Sequence, residues 1–178
     1  MKTLVFLAAA VTGLAAAQAQ NFTVNMDGLQ DGGGLRTGSG SGTLTLNTTL
    51  DTLTFNNITY SGLSSTSILS HIHGPALPGV PAGVLYDLAA GGFITLGTTS
   101  GSINGTLHLI PDPNGTTFDL PTQISQLDSG LWYINIHTHN FGGGEIRGQI
   151  LPVPEPSALP LLGIGVCGLW LLLRRRSR

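Results

Sequence analysis

Five histidines stand out in a chain with few other ionisable groups, and four of them come as two pairs: His71 with His73, and His137 with His139. In a β-strand, residues i and i+2 point to the same face, so each pair would present two imidazoles together. A sheet can offer nitrogens to Zn²⁺ or Cu²⁺ in this way, which makes the four residues candidate metal ligands. A closing hairpin that paired His139 with Glu145 would set His137 opposite Arg147 and bring all four onto one face. The competing reading keeps the imidazoles as hydrogen-bonding groups that cap loops, bind backbone carbonyls or pair with Glu145. His108, alone on an apolar stretch, reads as structural. There is no Gly-x-Ser-x-Gly elbow, no cysteine nucleophile and no carboxylate pair at a recognisable spacing, so the expectation is a non-enzyme.

The elements that must position these residues are short strands. Phe22, Val24 and Met26 alternate with polar residues and predict a first strand, ended by a glycine-rich turn at Asp31–Gly34. The run Gly38-Ser39-Gly40-Ser41-Gly42 reads as a loop, since it lacks the Gly-Lys-Ser/Thr ending of a phosphate loop. Leu44 and Leu46 mark the next strand. Leu53 and Phe55 alternate in one phase and Ile58 and Tyr60 in the other, which calls for a bulge near Asn56-Asn57. Strands are also expected at 68–73, 84–86, 92–97, 102–110 and 116–120. Pro121 to Ser129 is the one helical candidate, with Ile124 and Leu127 on a shared face and Gly130 to end it. Trp132–His139 and Glu145–Leu151 then form a hairpin, with one of Trp132 and Tyr133 in the core and the other at the rim. The fold class is all-β, a Greek-key sandwich or barrel with one short helix near 121–129.

Charge excludes one large class of partner. Charged residues make up only 9% of the 178, far below the roughly 25% of an average domain. Between the two ends, Arg36 and Arg147 face seven aspartates and Glu145, so two minus eight gives a net −6. Such a surface repels phosphate backbones, and no nucleic-acid binding is expected. The single cysteine, Cys167, lies in the tail, so the domain holds no disulfide.

Both ends read as addresses rather than fold. Lys2, an apolar run from Leu4 to Ala17, and Ala17-Gln18-Ala19 make a secretory signal peptide over residues 1–19, cut by signal peptidase after Ala19. Residues 20–151 form the domain. Residues 152–178 form a tail in which Val153, Pro154, Glu155 and Pro156 precede an uncharged apolar stretch of 16 residues, Ala158 to Leu173, and then Arg174, Arg175, Arg176 and Arg178. That stretch is slightly short of the ~17–25 residues of a spanning helix, and the arginines can extend it by snorkelling while holding that end in the cytoplasm.

The order of parts in the tail resembles the PEP-CTERM sorting signal of Gram-negative bacteria. The resemblance implies processing by an exosortase near Pro-Glu-Pro, a transient anchorage in the inner membrane by a single transmembrane helix, and delivery to the cell surface or the extracellular biofilm matrix. Within the domain, His71-Ile72-His73-Gly74-Pro75-Ala76 and Trp132-Tyr133-Ile134-Asn135-Ile136-His137-Thr138, followed by Gly144-Glu145-Ile146-Arg147-Gly148-Gln149, resemble the two motifs of the CHRD domain named from chordin. The family motif residues are then His71, His73, Gly74, His137, Glu145, Arg147 and Gly148. The departure is Gly142, where the family usually has proline. Glu145 and Arg147, on one face, are read as fold-specifying residues that pair with each other or with His137, and Gly148 as the site of a close strand crossing.

The functional expectation is an exported, non-catalytic surface or matrix protein whose domain serves binding or assembly, with a polysaccharide or protein as its extracellular partner. The alternative is a Cu- or Zn-binding β domain. It is similar to copper–zinc superoxide dismutase in its His-x-His pairs, but the further ligands of that enzyme have no counterpart here. Deleting Val153–Arg178 is expected to abolish delivery to the cell surface, and unchanged delivery on fractionation would overturn the sorting assignment.

Overall fold

The computed structural model of the protein describes residues 19–32 and 34–154. The signal-peptide reading up to Gln18 and the tail from Glu155, with its transmembrane helix and arginines, lie outside the described residues.

Eight strands form one antiparallel sheet: β1 Ala19–Asp27, β2 Ser39–Asn47, β3 Thr52–Ser61, β4 Ser67–His73, β5 Val84–Asp87, β6 Gly101–His108, β7 Tyr133–Thr138 and β8 Ile146–Pro152. Their order is β5-β4-β7-β8-β1-β2-β3-β6. The sheet curls around the alternate residues predicted to face inward. Phe22, Val24, Leu44, Leu46, Leu53, Ile58, Ile72, Ile134, Ile136 and Ile150 are all fully buried, each contributing about 1.5–3 kcal/mol of apolar burial. The bulge in β3 falls where the change of phase demands it, between Phe55 and Ile58, with Asn57 at φ 52°.

The two expected strands at 92–97 and 116–120 do not form. Residues 93–99 instead run as a strap between the sheet's ends. Phe93 O accepts from Asn104 N–H at 2.9 Å, Ile94 makes a single bridge to Ile103, and Ser67 exchanges backbone bonds of 2.9 Å with Gly97 and Thr98. Residues 116–120 lead from a 3₁₀ turn at Pro113–Gly115 into helix α1, Leu120–Asp128, which Asp119 caps by accepting from Thr122 N–H at 2.9 Å. The helix ends at Gly130, φ 66°, and buries Gln123 and Leu127 against the curled sheet.

The glycine–serine run read as a loop enters β2 from Ser39. Its inward positions must be glycine because the curl brings neighbouring strands too close for a side chain. A Cβ at Gly42 would lie 2.6 Å from Ile58 Cα, and one at Gly148 in β8 would lie 2.5 Å from Asn25 O. Overpacking of this kind costs about 1–3 kcal/mol. Gly148→Ala should lower the unfolding free energy by that amount, read as a lower urea midpoint at unchanged slope. Gly83→Ala, with open space around it, should leave the midpoint nearly unmoved; equal effects would refute the crowding argument.

Candidate metal centre

Strand β7 is buried along its whole length on both faces. Its even residues Ile134 and Ile136 face the apolar core. Its odd residues Tyr133, Asn135 and His137 face outward, beneath the segments 27–36 and 76–83, beside the odd residues of β4 and β8. The outer layer is therefore polar and buried, and each group in it needs a partner.

Register decides which groups meet. Strand β4 pairs with β7 so that His71 opposes Asn135 and His73 opposes Tyr133. His71 and His137 are then diagonal neighbours, with His71 Nδ1 3.2 Å from His137 Nε2. One nitrogen from each of His71, His73 and His137 lies within 4.8 Å of the others. The other nitrogens are used by the fold. His73 Nδ1 lies 3.0 Å from Ala82 O and His137 Nδ1 lies 3.0 Å from Gly142 O. A carbonyl oxygen only accepts, so both Nδ1 atoms carry the proton and both Nε2 atoms keep a lone pair. His71 Nε2 lies 4.0 Å from Asp87 Oδ2. For His73 and His137 this is the outer-shell arrangement that fixes tautomer and ring orientation in metal-binding histidines, while His71 Nδ1 donates to His137 Nε2 in the metal-free domain. His73 Nε2 is buried with no hydrogen-bond partner.

Electrostatics keep two of the rings neutral, the form that ligates metal. Burial pushes the His73 pKa down to about 4; its bond to Ala82 O opposes this, and His71, His137 and Arg147 add to it. Burial, then His137, lowers His71, with Asp87 acting the other way.

The outer layer is built around Tyr133. Its ring stacks on His73 with centroids 5.0 Å apart and planes 5° from parallel, and the Arg147 guanidinium carbon lies 3.4 Å from its centroid. The Ala82 N–H donates to Tyr133 Oη at 3.0 Å, so Ala82 grips the stacked pair at both ends. Arg147 donates to Val80 O at 2.8 Å and Leu77 O at 3.3 Å, and Gln149 to Ala76 O at 2.8 Å. Together these bonds pin the 76–83 loop over the sheet.

The chain matches the CHRD domain over residues 22–150 and the PEP-CTERM protein-sorting motif over 152–176. It belongs to the CHRD-domain family. The sorting motif makes it an exosortase-targeted extracellular protein. No curated protein and no solved structure matches it significantly.

Several expected positions in the CHRD domain move. The closing hairpin pairs Asn135 with Arg147 and Ile136 with Ile146, two residues from the register that set His139 against Glu145. Strand β7 ends at Thr138, so His139 is exposed outside the cluster, with its N–H on Thr66 O. Glu145 meets neither Arg147 nor His137. Its fully buried carboxylate accepts from Ser64 N–H at 2.6 Å, Ser64 Oγ at 2.9 Å and Thr138 Oγ1 at 2.6 Å. Trp132 and Tyr133 are both buried, so neither is the expected rim residue. His108 is exposed on β6. Val153 and Pro154 are the last described residues of the sorting motif, and Gly74 is crowded by Trp132. The residues not foreseen are Tyr133, Asp87 and the carbonyls of Ala82 and Gly142. Tyr133 was within reach, because it shares the alternation of His137; a backbone carbonyl carries no sequence signal.

The buried histidine gives the metal-free domain a pH dependence. The folded pKa of His73 lies below its unfolded value of 6.5, so its contribution is complete above pH 6.5 and is lost as pH falls toward 4. The loss is about 2–3 kcal/mol. Asp31, raised by burial, acts the opposite way at the acid end of that range. Urea midpoints in chelator from pH 7 to 4 should therefore fall more steeply for the wild type than for His73→Gln; parallel curves would contradict a buried neutral imidazole.

Proposed function

We propose that the CHRD domain is a non-catalytic binding module at the cell surface or in the extracellular matrix, and that its ligand is a single transition-metal ion held by His71, His73 and His137. The observation that carries this reading is the convergence of three imidazole nitrogens whose partner nitrogens face Ala82 O, Gly142 O and Asp87. A ligand set fixed in this way loses little freedom when an ion arrives. The ion also satisfies His73 Nε2, a buried acceptor that costs about 1–3 kcal/mol while unpartnered.

The all-nitrogen set suits Zn²⁺ or copper and not the oxygen-seeking Ca²⁺ or Mg²⁺. It gives a concrete ligand to the binding role expected of the domain. The non-catalytic part of the reading rests on the sequence, which offers no nucleophile elbow, no cysteine nucleophile in the domain and no carboxylate pair at a recognisable spacing. Phe22 to Ile150 spans the whole described core, so residues 20–154 can be purified as a folded unit. Titration calorimetry with Zn²⁺ and Cu²⁺ should give one ion per domain, absent in His71→Ala/His73→Ala. Binding that survives the double substitution, or no binding by the wild type, would refute the site.

A further inference from the structure

Three features of this centre bear on which ion it takes. The donors number three: among the described residues no Cys, Asp or Glu joins His71, His73 and His137 in the group. The centre is dry on one side, since His73 Nε2 is shielded from solvent and His73 and His137 are buried, while His71 is part-buried at its outer edge. None of its donors is anionic, and the carboxylate that faces it, Asp87, lies outside the donor set with Oδ2 4.0 Å from His71 Nε2. The three imidazoles are neutral ligands, and the Arg147 guanidinium sits against Tyr133, whose ring stacks on His73. The nearest carboxylates are already engaged. Asp31 lies 3.8 Å from Arg36, and Asp87 Oδ1 accepts from the N–H groups of Ala89 and Ala90 at 2.9 and 2.8 Å.

Resting on the metal-binding reading above, we propose that the resident ion is copper, held as three-coordinate Cu⁺ by His71 Nδ1, His73 Nε2 and His137 Nε2. Zn²⁺ is almost always four-coordinate, completing a three-histidine set with water at an open position. With His73 Nε2 closed off from solvent, the buried side of the pocket does not provide that position. Cu⁺ is satisfied by three donors. The cost of moving an ion out of water grows with the square of its charge, so a dication loses about four times what a monocation loses, and here no anionic ligand offsets it. Among divalent ions a nitrogen site already prefers copper to zinc. The low coordination number and the missing anion extend that preference to the reduced ion.

The test uses residues 20–154 under anaerobic conditions. Cu⁺ is titrated against a colorimetric Cu⁺ chelator and Zn²⁺ against a fluorescent zinc indicator, and X-ray absorption is recorded on the copper-loaded domain. The expected result is one Cu⁺ per domain, bound at least about 100-fold more tightly than Zn²⁺, with three nitrogen scatterers around the copper. His137→Gln, checked for native circular dichroism, should lose at least about tenfold in Cu⁺ affinity. Zn²⁺ binding as tightly as Cu⁺, or a fourth scatterer on copper, would overturn the copper assignment and leave the metal site standing. No binding of either ion would remove both. If the variant fails to fold, the affinity ratio and the absorption spectrum of the wild type decide.

Discussion

The two-sided burial of β7 is the constraint on which the rest of this domain depends. One face of the strand packs into the apolar core in the ordinary way. The other is roofed by the 27–36 and 76–83 segments, yet it carries Tyr133, Asn135 and His137 rather than aliphatic residues. A buried polar face must find its hydrogen bonds inside the protein, and the loops above it supply them. The carbonyls of Ala76, Leu77, Val80 and Ala82 take bonds from Gln149, Arg147 and His73. Loop and sheet thereby hold each other in place without a disulfide.

At the far end of the hairpin, Glu145 does comparable work on the other side. Its carboxylate collects the backbone N–H and hydroxyl of Ser64 and the hydroxyl of Thr138, tying the β3–β4 connection to the final hairpin. A buried carboxylate with three donors is stable where an ion pair with Arg147 would have needed both charges desolvated together. Arg147 is free to lie across Tyr133 instead, where the aromatic face and two carbonyls receive it.

A few atoms of the polar outer layer keep no hydrogen bond, His73 Nε2, Asn135 Oδ1 and Arg147 Nε among them. The polar layer pairs most of its groups, but His73 Nε2 keeps its lone pair in a shielded position beside His71 and His137. Burial holds His71 and His73 toward the neutral, ligating form. The bond to Ala82 O that helps close the loop over the sheet also orients the His73 ring. In a domain exported without cysteines, an ion at this point would reinforce the loop that covers it.

The targeting tail, the all-β class, the β3 bulge, the capped helix and the pairing of His71 with His73 were legible from residue types and alternation alone. These are local properties, set by the period of a strand, the preferences of caps and the order of motifs. What only the tertiary structure decided was which distant residues met. The expected strand at 92–97 became a strap because the curl of the sheet left its ends to be bridged. The glycine run became strand because β3 passes too close for side chains. His139 left the histidine group because β7 ends at Thr138, and Tyr133 entered its surroundings because the β4–β7 register sets it opposite His73, while the hairpin register itself lies two residues from the expected one. A two-residue slip preserves which face each side chain takes and changes only its neighbours. Alternation could therefore name the face, while the choice of three histidines awaited the packing of loops and strands far apart in the chain.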